Sequence, residues 1–310
     1  MAQRPRYADL PDGSAWDVLD PKLGSLELLT PERVAAAAKL VTAGKRFSLD
    51  LPLTLPSPPF FGREPFEHTI FSLGMANVFD DKLDNFFPQG STQWDGFGHF
   101  GHPDKGFFGG RAGADVEAKT LGIEAWAAVG IAGRGVLLDV ARHADIPGNE
   151  EFAITREMLT ATAATQGVEL REGDILCVRT GWVAWYKALD VAGREAVAAA
   201  SRGQGFEKFH TPGVGPGPAI AEFLWDHGVA AIAVDNPAVE ALGPGGLGAP
   251  GDSVHTRVLA MLGIPLGEFF DLDALAEDCA NDGVYEFLFT SAPLGIPGGL
   301  GSPPNALAIK

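Results

Sequence analysis

The sequence predicts an α/β protein: a single domain built on a mixed sheet, with one elaborated loop region rich in aromatic side chains. Three observations predict it. Short apolar runs at 135–142 (GVLLDVAR), 174–182 (DILCVRTGW), 229–236 (VAAIAVDN) and 285–291 (YEFLFTS) have the length and composition of buried strands. Helical patterns lie between and around them, at about 155–166, 188–201, 217–227, 252–262 and 271–280, and strands alternating with helices layer as α/β. Residues 54–120 differ, with Pro, Gly and Phe recurring and little helical periodicity. That stretch predicts loops and short strands.

Composition bounds the possibilities. A chain of 310 residues, 46% hydrophobic and 20% charged, buries one large core or two modest ones. Its 40 acidic residues against 23 basic ones leave a formal charge of -17, which repels phosphate backbones and anionic lipid. Nucleic acid and membranes are therefore not expected partners. The 40 glycines and 23 prolines carry no collagen period and predict many turns. No fixed-period repeat is present, which excludes solenoids and propellers. No window approaches the roughly 18 apolar residues of a membrane span. Cys177 and Cys279 sit in apolar contexts and predict free buried thiols in a reducing compartment. With no signal-peptide core behind MAQRPRYADLPDG, the expected location is cytoplasmic.

Taken in order, residues 31–43 predict a helix, with Thr30 as N-cap and Pro31 at the first helical position. RFSLDLPL, which follows, alternates like a strand. Residues 1–44 are thus an N-terminal extension and helix, ahead of a domain spanning 45–310. In the aromatic-rich region, Gln93-Trp94-Asp95-Gly96-Phe97-Gly98-His99 sets a carboxylate and an imidazole four residues apart among glycines and aromatics. That is a metal or acid/base pair, or an Asx-turn beside a surface histidine. Downstream, Asp252 or Ser253 can cap a helix carrying His255, and the turn at Gly263 and Pro265 leads to Glu268. A His on a helix and a Glu beyond the next turn can converge on one ion, or simply pack.

STQWDGFGHF resembles the signature of the metal-dependent cyclase family, which includes bacterial kynurenine formamidase and isatin hydrolase and reads H-x-G-T-H-x-D-x-P-x-H. GVLLDVAR, GVELREGDILCVRTGW, VAAIAVDNPAVE and the terminal GSPPNALAIK are similar to corresponding family segments in the same order, most of all in a subgroup with Thr-Gln in place of Thr-His. The resemblance covers about residues 45–310. It implies a swivelling β/α/β domain in which Asp95, His255 and Glu268 are metal ligands and His99 is the general acid/base.

The departures are specific. Gln89 and Gln93 stand where the formamidase pattern has histidines, and Phe97 replaces its proline. Glutamine is a weaker ligand than imidazole, so one divalent ion, Zn or Mn, is expected rather than two. Gln93 serves as an adjunct. The implied activity is hydrolysis of a small non-peptide amide, formamide, cyclic amide or lactone. The alternatives are a metal-dependent lyase or cyclase acting on an enolisable carbonyl, and a non-catalytic small-molecule binding protein. Trp94, Phe97, Phe100 and Phe107 are candidate walls for a cyclic or aromatic substrate, and His102 and His210 candidate substrate contacts. Arg134 and Arg179 are either a grip for a substrate carboxylate or ordinary ion pairs. The glycine-rich run 243–251 lacks a phosphate-loop lysine and reads as a flexible connection. The resemblance also implies a homo-oligomer, and a subunit contact is one use for residues 1–30.

Overall fold

The computed structural model describes residues 4–202, 207–244 and 249–310. Part of the 243–251 connection, residues 245–248, lies outside them. The fold is α/β, a single domain. Its strands are β1 (Arg46–Ser48), β2 (Glu67–Ser72), β3 (Phe79–Asp84), β4 (Gln93–Asp95), β5 (Ile131–Asp139), β6 (Phe152–Ile154), β7 (Ile175–Arg179), β8 (Pro212–Val214), β9 (Ala231–Val234), β10 (Leu266–Glu268), β11 (Glu286–Ser291), β12 (Gly301–Ser302) and β13 (Leu307–Ile309). Nine of them form one sheet in the order β1-β13-β11-β5-β7-β9-β10-β4-β12.

The middle of that sheet is parallel. β5, β7, β9 and β10 pair in that sense, and antiparallel strands extend it on both sides. Parallel strands have both faces covered. Accordingly β9 is buried throughout, and β7 everywhere except Arg179. These are the apolar runs predicted as strands, with β11 alternating buried and half-buried positions.

The helices are α1 (Pro31–Ala37), α2 (Gly113–Glu117), α3 (Glu124–Val129), α4 (Arg156–Gln166), α5 (Trp182–Ala188), α6 (Val191–Ala200), α7 (Pro218–Asp226) and α8 (Asp273–Asp282). Thr30 caps α1 by accepting a hydrogen bond from the Arg33 N–H. α1 then tightens into a 3-10 turn at Ala38–Leu40. Two expectations shift. The predicted strand 174–182 stops at Arg179 because Gly181, at φ 85°, turns the chain into α5. The predicted helix 252–262 is a π-helical turn, His255–Met261, with the Leu262 N–H donating to the Arg257 carbonyl five residues back. Of the expected strand in RFSLDLPL, only Arg46–Ser48 forms.

Among the described residues, two apolar clusters fill the interior. The larger surrounds the sheet and takes in Leu10, Ala15, Leu19 and Leu26 from the N-terminal segment. That segment is also tied down by hydrogen bonds, Trp16 Nε1 donating to the Ala260 carbonyl at 2.8 Å and Ser25 Oγ to that of Ala230 at 2.7 Å. The smaller cluster gathers Phe60, Trp182, Tyr186, Phe209 and Phe269. Phe60 sits edge-on to Trp182, Tyr186 and Phe209 with ring centroids 5.4–6.0 Å apart. This pins the 54–66 segment beside Phe269, the neighbour of Glu268.

Candidate metal centre

β4 is three residues long and wholly buried. Alternation along a strand turns Gln93 and Asp95 to one face and Trp94 to the other. β10 runs antiparallel to it, with Glu268 opposite Gln93 and Leu266 opposite Asp95. The polar face of this pair is closed by His255, from the first residue of the π-helical turn. Ser253 fixes the start of that turn by accepting a hydrogen bond from the Thr256 N–H at 3.0 Å. Asp252, the other expected cap, instead pairs with Arg257.

Asp95, His255 and Glu268 are all buried, and each offers a ligand atom lying within 4.8 Å of the others. His255 Nε2 lies 3.3 Å from Asp95 Oδ2 and 3.4 Å from Glu268 Oε1. Gln93 Nε2 donates to Glu268 Oε2 at 2.5 Å. Among the described residues, Gln93 Oε1 and Asp95 Oδ1 are buried without any hydrogen-bond partner. Orphaned acceptors beside further carboxylate oxygens and an imidazole nitrogen form a donor set that a divalent cation satisfies. The residues present therefore fit the expected ion.

Sequence reasoning missed two residues of this centre. Glu240 is buried, accepting from the His255 backbone N–H at 3.1 Å, and its Oε1 faces His255 Nδ1 at 3.0 Å. A carboxylate on the far nitrogen orients an imidazole and raises its basicity as a ligand. Glu240 reaches this place because Gly213 lets the backbones touch: a Cβ there would lie 2.3 Å from the Glu240 carbonyl carbon. Its only sequence signal is the E that ends DNPAVE. The second residue is Arg63, whose guanidinium stacks over the Phe61 ring at 5.3 Å. Burial pulls it below its ordinary value while Glu268 and Asp95 push it up, which puts a cation in the field of the cluster.

The charges are strongly interdependent. Burial opposes a charged His255, but Glu240, Asp95 and Glu268 outweigh it and hold the imidazole well above its ordinary value. Burial and the adjacent Asp95 push Glu268 up to about 7. Burial also acts to raise Asp95, yet His99, His255 and Arg63 together hold it below the usual carboxylate range. His99 Nε2 stands 3.7 Å from Asp95 Oδ1. Asp95 raises that imidazole, but burial, His255 and Arg63 prevail and leave it below its ordinary value. A neutral imidazole at the edge of the cluster is able to accept a proton.

The other candidates fall into two groups. Phe100 lies beside the centre, its ring 5.0 Å from that of His255. Trp94 and Phe97 do not face it. Trp94 is turned to the opposite side of β4, where it packs on Phe270 and Phe289 and donates to Ser291 Oγ at 3.0 Å. Gly267 makes room for its ring. Phe97 stacks in the core against Phe108 and Trp126. Trp94 fills the wall from behind because strand alternation and apolar burial coincide there, whereas Phe97 lies past the end of β4, in the turn where the His99 N–H donates to the Gly96 carbonyl.

His102 accepts from the Asp104 N–H within its own turn at 3.2 Å, and His210 Nε2 faces the Glu207 carbonyl at 3.0 Å. Local hydrogen bonds occupy both. Arg134 pairs with Asp174 and Glu286, and Arg179 with Asp139 and Asp273. Of the two readings open for these arginines, the ion pairs are the ones formed. Cys177 and Cys279 are free and buried.

A mixed α/β sheet whose short antiparallel strands bring Asp95 and Glu268 to His255 on a π-helical turn, in one buried Asp–His–Glu centre, defines the class. The Cyclase family model ("Putative cyclase") matches residues 48–241. The crystal structure of a novel cyclase aligns at 34% identity with a TM-score of 0.82, covering 96% of this chain and 97% of that one. The chain belongs to the Cyclase family. Isatin hydrolase A from Labrenzia aggregata, bound to benzyl benzoate, aligns at 18% identity and TM-score 0.60, covering 92% of this chain and 98% of that one. Isatin hydrolase A from Ralstonia solanacearum gives 17% and 0.58, covering 90% and 97%. These two share the fold. No curated protein matches the chain. Among the described residues, no helix is long and apolar enough to cross a membrane.

Proposed function

We propose that the protein is a metal-dependent hydrolase of a small non-peptide amide, formamide, cyclic amide or lactone. The observation that carries this reading is the convergence of Asp95, His255 and Glu268 beside two orphaned acceptor oxygens. Those three residues would hold one Zn or Mn ion, with Gln93 as an adjunct. When bound, such an ion makes water more acidic and polarises a carbonyl. Glu240 keeps His255 aligned. His99 takes a proton from water at Nε2 and returns it to the leaving nitrogen or oxygen. Arg63 supplies positive charge where the product acid forms, and Phe100 a wall for a flat or cyclic substrate. His102 and His210 are assigned to the rim, as outer substrate contacts. The domain proper is taken as residues 45–310, with 1–44 an N-terminal extension. The acidic surface, free thiols and family resemblance support a cytoplasmic homo-oligomer.

The test is metal content by mass spectrometry, paired with turnover of N-formyl, cyclic amide and lactone substrates in 18O-labelled water. The native chain should hold one equivalent of Zn or Mn and place solvent oxygen in the acid. Asp95→Ala and His255→Ala should lose the ion. His99→Asn should keep it while turnover falls by about 10²–10⁴. Absence of bound ion after reconstitution with Zn, Mn and Fe would refute the reading. Turnover without solvent oxygen in the product would indicate a lyase.

A further inference from the structure

His255 opens the π-helical turn and Glu268 lies on β10 just beyond its exit. The winding of residues 255–264 therefore sets how these two side chains stand to each other. A π turn is a rare winding, found mostly as a single turn, and something must hold it against rewinding. Within it, the Leu262, Gly263 and Ile264 N–H groups donate to the Arg257, Leu259 and Val258 carbonyls. A helix end leaves its last carbonyls without a partner inside the helix, here those of Ala260 and Met261.

The N-terminal segment supplies those partners. Trp16 Nε1 donates to the Ala260 carbonyl at 2.8 Å, and the Ala15 N–H to that of Met261 at 2.9 Å. At the exit of the turn the Ser25 N–H donates to the Gly263 carbonyl at 2.9 Å. Gly24, at φ 54°, permits that approach, since a Cβ there would lie 2.2 Å from the Gly263 oxygen. Arg257, within the turn, donates from Nη1 to the Tyr7 hydroxyl at 3.4 Å.

We propose that residues 7–25 form a strap that holds the π-helical turn in its winding, with Trp16 as the positioning residue that keeps His255 and Glu268 at the spacing an ion requires. The proposal rests on the metal reading above. Trp16 acts through the backbone of the turn. Without its N–H the Ala260 carbonyl loses its partner, and a buried acceptor left unpaired favours another winding. A rewound turn rotates His255 against β10. That carries Nε2 away from Asp95 Oδ2 and Glu268 Oε1, which it now meets at 3.3 and 3.4 Å. The segment also bonds to α7, where Trp225 Nε1 donates to the Pro5 carbonyl at 2.9 Å. Since α7 carries no residue of the centre, that bond is the control.

The experiment uses the full chain and reads three things. They are Zn or Mn affinity by competition with a chelator, the visible bands of bound Co2+, which report coordination geometry, and amide exchange at Leu262, Gly263 and Ile264. Trp16→Phe keeps a ring and removes the donor. It should weaken ion binding about 10-fold, shift the Co2+ bands and speed exchange at those amides. Trp225→Phe should lower the urea midpoint by a similar amount while affinity, bands and those amides stay as in the native chain. If Trp16→Phe does not fold, Ser25→Ala takes its place with the same expectation, because it gives up the Oγ bonds to the Ala230 and Gly263 carbonyls. An ion held equally well by the native chain and by Trp16→Phe overturns the strap alone. Equal weakening in both tryptophan variants also overturns it, by making the segment a general brace. A native chain that takes up no Zn, Mn or Fe overturns the metal reading itself, and the proposal falls with it.

Discussion

His255 is held from two sides: its ring faces Glu240 at Nδ1 and Asp95 and Glu268 at Nε2. Because Glu240 meets His255 at the backbone N–H and at the ring nitrogen turned away from Asp95 and Glu268, its effect passes through His255. Glu240→Gln should weaken Zn or Mn binding about 10–100-fold, measured by competition with a chelator, while the fold survives. Both glutamates adjoin strained backbone. Val239 has φ 58° and Phe269 φ 55°, left-handed values that cost a side chain of these types on the order of 1–3 kcal/mol each. The strain aims Glu240 and Glu268 at the centre, and packing of the buried Val239 and Phe269 side chains offsets it. At this scale Asp95, His99, His255 and Glu268 were legible as residue types within a resemblance. Glu240 and Arg63 were not, since a lone Glu after a turn and a lone Arg among phenylalanines look like any others.

At the scale of elements, buried carboxylates clamp strands to their neighbours. Asp235, just past β9, accepts from the Thr180 N–H at 2.6 Å, from Thr180 Oγ1 at 2.7 Å and from the Gly181 N–H at 2.8 Å, fixing the entry to α5. Asp235→Ala strands three donors and should cost about 3 kcal/mol in urea unfolding.

Asp50 ties the segment after β1 to the Ala306 N–H before β13. Burial, against that hydrogen bond, pushes its carboxyl from 3.8 up to about 6. A folded value above the unfolded one means that this group's stabilising contribution is present below 3.8 and is lost as pH rises through about 6. Asp50 Oδ1 also lacks a partner among the described residues, so asparagine can keep the one hydrogen bond without the charge. Asp50→Asn should therefore raise stability by on the order of 2 kcal/mol at about pH 7.5 and leave it nearly unchanged at about pH 4, as read by thermal melts at both values.

The strands of the middle of the sheet were legible because fully buried parallel strands write continuous apolar runs. β4, β10 and β12 were not, being two or three residues long, too short to show a period. The β2–β3 hairpin escaped for a related reason: both of its faces are exposed, so burial imposes no alternation on it.

For the whole molecule, a divalent ion binding only the folded state should stabilise it by about 2.7 kcal/mol at a hundredfold excess over the dissociation constant. Stripping the protein with a chelator should therefore lower the melting temperature by a few degrees, and readdition of Zn or Mn should restore it. An unchanged melt with no bound ion would count against the centre.

The sequence by itself determined the layered α/β class, the buried strands and the net charge of -17, because these follow from local periodicity and summed charge. The ordered family segments also named the residues of a candidate centre. Only the tertiary structure decided which of them meet. Convergence of residues 93, 95, 240, 255 and 268 depends on one antiparallel pair, one π-helical turn and one glycine contact, and contacts so far apart along the chain leave no periodic trace. The same holds for Trp94 and Phe97, whose aromatic character was plain but whose orientation was set by tertiary packing, for Trp94 by which face of β4 the core occupies and for Phe97 by the Phe108 and Trp126 rings past the strand's end.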